Sequence, residues 1–341
     1  MTWLRTTLLE KPCLPFDVVL SGDLWLCRGL ESVYAFASNS DTLVWERPLP
    51  GDATFGQKRL FEAGSCVVTI NDASEAKRRR VLWIDRATGR IEHELKAPLT
   101  LSPIGIAVAG PYLFLHGRDA RTNAWVLDEI DLENGRALRT HSAPPGMRLC
   151  GVSDRLYLDC GIEGLRFLEI GQGYVWTTAV GAPVKGSAFG PAGVYFYTQQ
   201  GARGSPLDLH WWGGSDGQAS ELRTDHRGPR LIEPGRTGDE MVAFLGSESP
   251  ALLDFRAGSV RWTSPLLAGV SVNRVAATPP GVVLLTKVAR EPCRAETLNW
   301  SDGARLDAVP VTRHDVQFAR WFRDRLFLGS YDGVEIFRWE D

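Results

Sequence analysis

The chain has 341 residues, 44% hydrophobic and 23% charged, enough for one large all-β domain or two average domains with a real core. A net charge of −3 argues against wholesale nucleic-acid binding, which needs a clearly basic domain. Twelve Trp and 35 Gly beside only three Met favour short strands and tight turns over helices.

The first residues, Met1 to Pro12, lack the apolar run of about 7–15 residues that an export signal needs. No stretch approaches the roughly 18 consecutive apolar residues of a membrane helix. The six cysteines (13, 27, 66, 150, 160 and 293) show no CxxC spacing and are expected to be reduced. A cytoplasmic protein that does not engage a membrane is therefore expected. Only six of 38 basic residues are Lys, a bias that suits a GC-rich bacterial genome.

Taken in order, the chain opens on a strand-like segment, Trp3 to Leu9. Apolar, aromatic-rich strands then recur at 24–27, 66–70, 112–115, 156–158, 194–197, 241–244, 282–285 and 326–328. Seven of these are followed by a turn anchored on Gly or its equivalent. The clearest is Asp85 to Gly89 in the hairpin 81–95, where Asp caps backbone amides and Gly takes positive φ. Copies are Asp131–Gly135, Glu169–Gly173, Gly213–Gly217, Asp254–Gly258, Asn299–Gly303 and a degenerate Ala37–Asp41, spaced 38 to 48 residues apart. A Pro follows each turn, at 50, 98, 144, 183, 229, 265 and 310, where a strand can end without donating to a ladder. Pro12 follows the first strand in the same way.

The last strand, 326–328, has no turn after it, because the chain ends at Asp341 where that turn would come. Residues 1–12 thus supply the missing last strand of the unit 314–341. The expectation is an all-β chain forming one domain over 1–341, an eight-bladed β-propeller of four-stranded antiparallel blades. Seven blades is the alternative.

Ile84-Asp-Arg-Ala-Thr-Gly-Arg90 and Leu253-Asp-Phe-Arg-Ala-Gly-Ser-Val-Arg-Trp262 resemble the PQQ-like (pyrroloquinoline-quinone-type) propeller repeat, in which a Trp docks between neighbouring blades. That docking position is filled by Trp45 and Trp262, approximately by Trp176, and by His93. The resemblance implies the fold and not an activity. The quinone-dependent dehydrogenases of this fold carry adjacent cysteines and Ca²⁺; this chain has no Cys-Cys pair, so no cofactor and no metal site are expected. The outer-membrane assembly lipoproteins are similar in length and blade number. They need a lipidated Cys behind a hydrophobic signal, whereas Cys13 follows Glu10-Lys-Pro12.

There is no phosphate-binding GxxxxGK[ST] loop, no GxSxG elbow and no HxH or HExxH spacing. His93 and His210 read as blade packing. Basic residues instead gather in the hairpins between second and third strands: Lys77, Arg78, Arg79 and Arg80; Arg118 and Arg121; Lys287, Arg290 and Arg294; joined by Arg28 and Arg203. Guanidinium forks there suit carboxylates of a protein partner. A non-enzymatic protein-binding propeller of scaffold, accessory or immunity type is the first expectation. The alternative is a small-molecule or carbohydrate site at the mouth of the central channel, with Lys58, Arg148, Glu233, Arg274, His314 and Asp315 as candidates.

Overall fold

The computed structural model describes residues 2–10, 17–49, 59–71, 80–96, 105–119, 121–190, 193–199, 207–213, 219–224, 232–245, 249–265, 270–288, 292–312, 316–331 and 333–340. They form eight four-stranded antiparallel sheets, the blades of a β-propeller. Blades 1 to 7 span residues 17–48, 61–96, 105–142, 148–180, 184–224, 232–263 and 270–310. In each, the sheet order follows the chain. Blade 8 is split: its first three strands lie in 318–340, and Thr2–Leu9 adds the fourth, antiparallel to Gly333–Glu340 with Trp3 opposite Trp339. The eight-blade expectation and the split closure both hold. No helix among the described residues is long and apolar enough to cross a membrane.

First strands of successive blades approach one another and surround the axis. Second and third strands are buried on both faces, as in Arg325–Ser330 and Ser32–Ala37, because a neighbouring blade covers each side. Fourth strands form the rim and are half wet, as in Ala137–Ser142.

The outer turn, between third and fourth strands, follows the sequence pattern. Gly89, Gly135, Gly258 and Gly303 have φ of 63 to 70°. Asp85 Oδ1 accepts the Thr88 amide at 2.8 Å, and Asp131 and Asp254 do the same for Asn134 and Ala257. The Gly213–Gly217 copy falls largely outside the described residues.

Gly89, Gly135 and Gly303 have a second role, which Gly258 does not share. Trp45 of blade 1 donates from Nε1 to the Arg86 carbonyl of blade 2, and a Cβ on Gly89 would lie 2.7 Å from its ring. Trp262 repeats this on blade 7, donating to the Trp300 carbonyl with its ring 2.7 Å from a Cβ on Gly303. His93 docks on Gly135 in the same way. At these three turns Gly is thus a seat for the preceding blade's ring as well as a left-handed residue. Trp176 departs from the expectation. It packs with Tyr112, Ala143 and Leu168 toward blade 3, and its Nε1 has no hydrogen-bond partner. Blade 3 instead meets blade 4 through His141 stacked on Tyr174 at 3.8 Å and Arg139 over the same ring; both contact the buried Glu129 carboxylate.

The degenerate turn copy closes the ring. Asp41, at φ 55°, stands where other blades have Gly. Its carboxylate accepts from Arg325 Nε at 3.0 Å and from Thr6 Oγ1 at 2.6 Å, and its carbonyl accepts from Thr7. Asp41 and Arg325 are each only 1% exposed. One side chain therefore ties blade 1 to both the second and the N-terminal strands of blade 8. On the other flank, Asp307 Oδ2 of blade 7 accepts from the Trp3 amide and Thr2 Oγ1, both at 3.0 Å.

Candidate functional site

By topology, the hairpins between second and third strands share one face with the links from each blade to the next. On blade 3 the Asp119 carboxylate caps this hairpin, accepting the amides of Thr122 and Arg121 at 2.8 and 2.9 Å. Those bonds, Thr122's first, hold its carboxyl below the usual range. Arg118 lies 4.9 Å over the Trp125 ring and bonds Asn123, while Arg121 is exposed. On blade 7, Lys287 ends near the hairpin and Arg294 opens its far side, exposed. Arg80 begins the third strand of blade 2 and pairs with Glu94 at 2.7 Å. Lys77, Arg78, Arg79, Arg203 and Arg290 lie outside the described residues.

Arg28 does not belong to this face. It is 1% exposed and reaches blade 2, bonding Thr69 Oγ1 at 3.2 Å and the carbonyls of Gly29 and Leu30. It fastens blades together, a role its hairpin position does not disclose.

The same face carries an apolar feature that the charge pattern concealed. In blade 4 the hairpin is replaced by a 3₁₀ turn, Gly161–Glu163, opened by Gly161 at φ 61° and held by Asp159 Oδ1 accepting its amide at 2.9 Å. The Met147 amide donates to the Asp159 carbonyl at 2.7 Å, which sets Met147 beside Gly161. Ile162 is 82% exposed and Met147 59%. Arg148 and the Arg166–Glu163 pair flank them. Tyr331, 48% exposed, sits in the corresponding hairpin of blade 8. Isolated exposed apolar residues are ordinary; here Met147 lies beside the turn that carries Ile162, with charged residues around them.

At the axis, Arg148, Glu233 and Arg274, chosen from the sequence as channel-mouth residues, do converge. Lys58, His314 and Asp315 lie outside the described residues. Three further charged residues join them, Asp17, Arg59 and Arg320, which the sequence reading missed. Register gives their depth. Second strands align at Leu24, Arg155, Glu240, Gly281 and Arg325. On that alignment Asp17, Arg148 and Arg274 share one level, opposite Arg28, Asp159 and Leu285. Glu233 and Arg320, opposite Val242 and Phe327, lie two residues deeper. That is about 7 Å along a strand.

Contacts run from each blade to the next. Asp17 Oδ2 accepts the Leu60 amide of blade 2 at 3.1 Å, which brings Arg59 beside it. Arg148 donates to the Ser187 carbonyl of blade 5 at 2.8 Å, and Arg274 donates from Nε to the Gln317 carbonyl of blade 8. Arg148 and Arg320 are exposed although they sit on innermost strands, so the axis is open to solvent. Burial pushes the Glu233 carboxyl up, against the pull of Arg320, Arg148 and Arg274. Asp17 is likewise raised by burial, opposed by Arg59, the Leu60 amide and Arg320. Burial also raises the Cys150 thiol to about 11, against the pull of Arg59, so it is no nucleophile at neutral pH.

No protein-family model matches this chain, and no curated protein matches it in sequence. Solved structures match over nearly its whole length. BamB from Moraxella catarrhalis is 12% identical with a TM-score of 0.68, covering 100% of this chain and 98% of that one. The C-terminal WD40 domain of Sif2 is 11% identical with a TM-score of 0.68, covering 100% and 99%. The computationally designed Ika8 protein is 12% identical with a TM-score of 0.67, covering 98% and 99%. At such identities the likeness is one of fold: this chain is a β-propeller.

Proposed function

We propose that the protein is a non-enzymatic, protein-binding propeller of scaffold, accessory or immunity type that docks its partner on the face of the middle hairpins. The observation that carries this is the Met147–Ile162 point beside Arg148, with exposed Arg121 and Arg294 on hairpins of the same face. A partner of matching chemistry presents an apolar cleft rimmed by carboxylates. Rigid blades with variable hairpins suit the task, because recognition can change without disturbing the ring. We further read the chain as a divergent PQQ-like propeller, supported by the turns at 84–90 and 253–262 and by the docking of Trp45 and Trp262. We place it in the cytoplasm. Cys27, Cys66, Cys150, Cys160 and Cys293 are all free thiols, which suits a reducing compartment.

The test is quantitative affinity capture from the native host with wild type, Ile162→Asp, and Arg121→Glu combined with Arg294→Glu. A genuine partner is recovered by wild type and depleted at least tenfold by Ile162→Asp, since truncating a central apolar contact costs on the order of 2 kcal/mol or more. Recovery of the same proteins by all three baits refutes the docking face.

A further inference from the structure

We infer that the axial well binds a small polyanion bearing two or more carboxylate or phosphate groups. Arg59, Arg148, Arg274 and Arg320 come from blades 2, 4, 7 and 8, and only Asp17 and Glu233 oppose them among the described acidic groups at the axis. Two of the guanidiniums are held by backbone carbonyls. Arg148 gives NH1 to the Ser187 carbonyl, and Arg274 gives Nε and NH1 to the Gln317 and Asn273 carbonyls. These bonds orient each fork and leave its charge intact, and an Arg fork so fixed matches a carboxylate or phosphate without further ordering cost.

Glu233 strengthens the case. Among the described residues its carboxyl has no hydrogen-bond partner, unlike that of Asp17, which accepts the amides of Leu60 and Val18. Burial raises its pKa against the pull of Arg320, Arg148 and Arg274, and whenever Glu233 is protonated it donates its O–H to an anionic oxygen. Blades 3 and 5, which bring no charge at these levels, bring Gly105, Ala107, Gly186 and Ala188 instead and so add little side-chain bulk there. Two charged levels about 7 Å apart suit a small multivalent anion better than a monovalent ion.

The experiment is isothermal titration calorimetry of the full chain with citrate and, separately, inorganic phosphate, at constant ionic strength set by sodium chloride. Saturable one-to-one binding is expected. Stronger citrate binding assigns a polycarboxylate, and stronger phosphate binding assigns a phosphorylated ligand. Arg320→Gln should weaken binding about tenfold to a hundredfold, the usual worth of a charge-assisted hydrogen bond. Glu233→Gln should bind as well as wild type or better, because the amide donates as a protonated carboxyl does and carries no negative charge at any pH. Arg320→Lys, which keeps the charge and loses the fork, gives the same reading if Arg320→Gln does not fold. Ile162→Asp should bind the anion normally, which separates this site from the docking face. The inference is overturned if neither anion binds saturably at millimolar concentration, or if Arg320→Gln and Arg320→Lys both bind as wild type.

Discussion

Asp41→Asn isolates the ion pair that closes the ring. Asn keeps the side-chain volume and tolerates the left-handed backbone at φ 55°, so the change removes mainly charge. Asp41 and Arg325 are each 1% exposed, and Arg325 Nε lies 3.2 and 3.0 Å from the two carboxylate oxygens. Removing one partner of a buried pair costs about 3–5 kcal/mol, because the other charge is stranded. Arg325 also bonds Ser38 O and the exposed Asp324 carboxylate, so the lower end of that range applies. For 341 residues the unfolding entropy is about 0.7 kcal/mol/K, and a loss of about 3 kcal/mol lowers Tm by about 4 °C. Calorimetry reads the shift. Hydrogen exchange reads its location, with amides in Thr2–Leu9 losing protection first, since that strand hangs on Asp41 through Thr6 and Thr7. The double variant Asp41→Asn/Arg325→Met should regain at least half the loss, because no charge is left unpaired. A single variant within about 0.5 kcal/mol of wild type, or a double variant no better than the single, refutes the closure role.

The remaining predictions concern the turns and the pH response. Gly89→Ala should cost more than Gly64→Ala. Both glycines have positive φ, worth about 1–2 kcal/mol, but only at Gly89 does the new Cβ strike a ring, Trp45 at 2.7 Å, adding about 1–3 kcal/mol. Equal losses in urea melts would mean that Trp45 does not use Gly89 as a seat. His116 is buried, stacked on Trp125 and donating from Nε2 to the Pro144 carbonyl at 2.9 Å; burial lowers its pKa. Its contribution is therefore complete above the unfolded value of about 6.5 and lost as pH falls below it. His210, lowered by burial, has the same sign. Tm should fall between about pH 7 and 5, and His116→Phe should flatten that slope; an unchanged slope would rule His116 out as its source. The turn carboxylates Asp85, Asp131 and Asp254, held down by hydrogen bonds, lose their contribution at lower pH still, as each is protonated.

What the sequence discloses follows from what repeats. Every blade needs an outer turn, so Asp85, Asp131 and Asp254 recur with their glycines, and period, blade number and split closure are readable from the spacing. Asp41 looked degenerate because it serves closure, which happens once. Arg28 and Arg294 occupy equivalent hairpins. One is buried across a blade junction and the other is exposed, because the neighbouring blade's side chains decide, and they lie about 40 residues away in the chain. Arg59 and Arg320 went unremarked for a related reason: a side chain's place at the axis depends on strand register, and register is set by pairing rather than by composition. Met147 and Ile162 were hidden because the 3₁₀ turn that exposes them breaks the hairpin pattern.

The blade junctions are also not all alike, and this bears on the axis. Trp45 on Gly89 and Trp262 on Gly303 are alike, but His93 on Gly135, Arg139 and His141 on Tyr174, Asp307 on Trp3 and Arg325 on Asp41 are each a different fastening. A ring of identical junctions could close with a blade missing or with strands paired in the wrong order at similar energy. Unlike junctions penalise each such alternative, since a mismatched seam leaves a ring unseated or a charge unpaired. The order of blades is thereby fixed, and with it which arginines face one another across the axis. Arg148 and Arg320 stand four blades apart and yet act on the same Glu233 carboxyl. That arrangement exists only if all eight junctions close in sequence, so loosening Asp41 should weaken anion binding at the axis as well as the N-terminal strand.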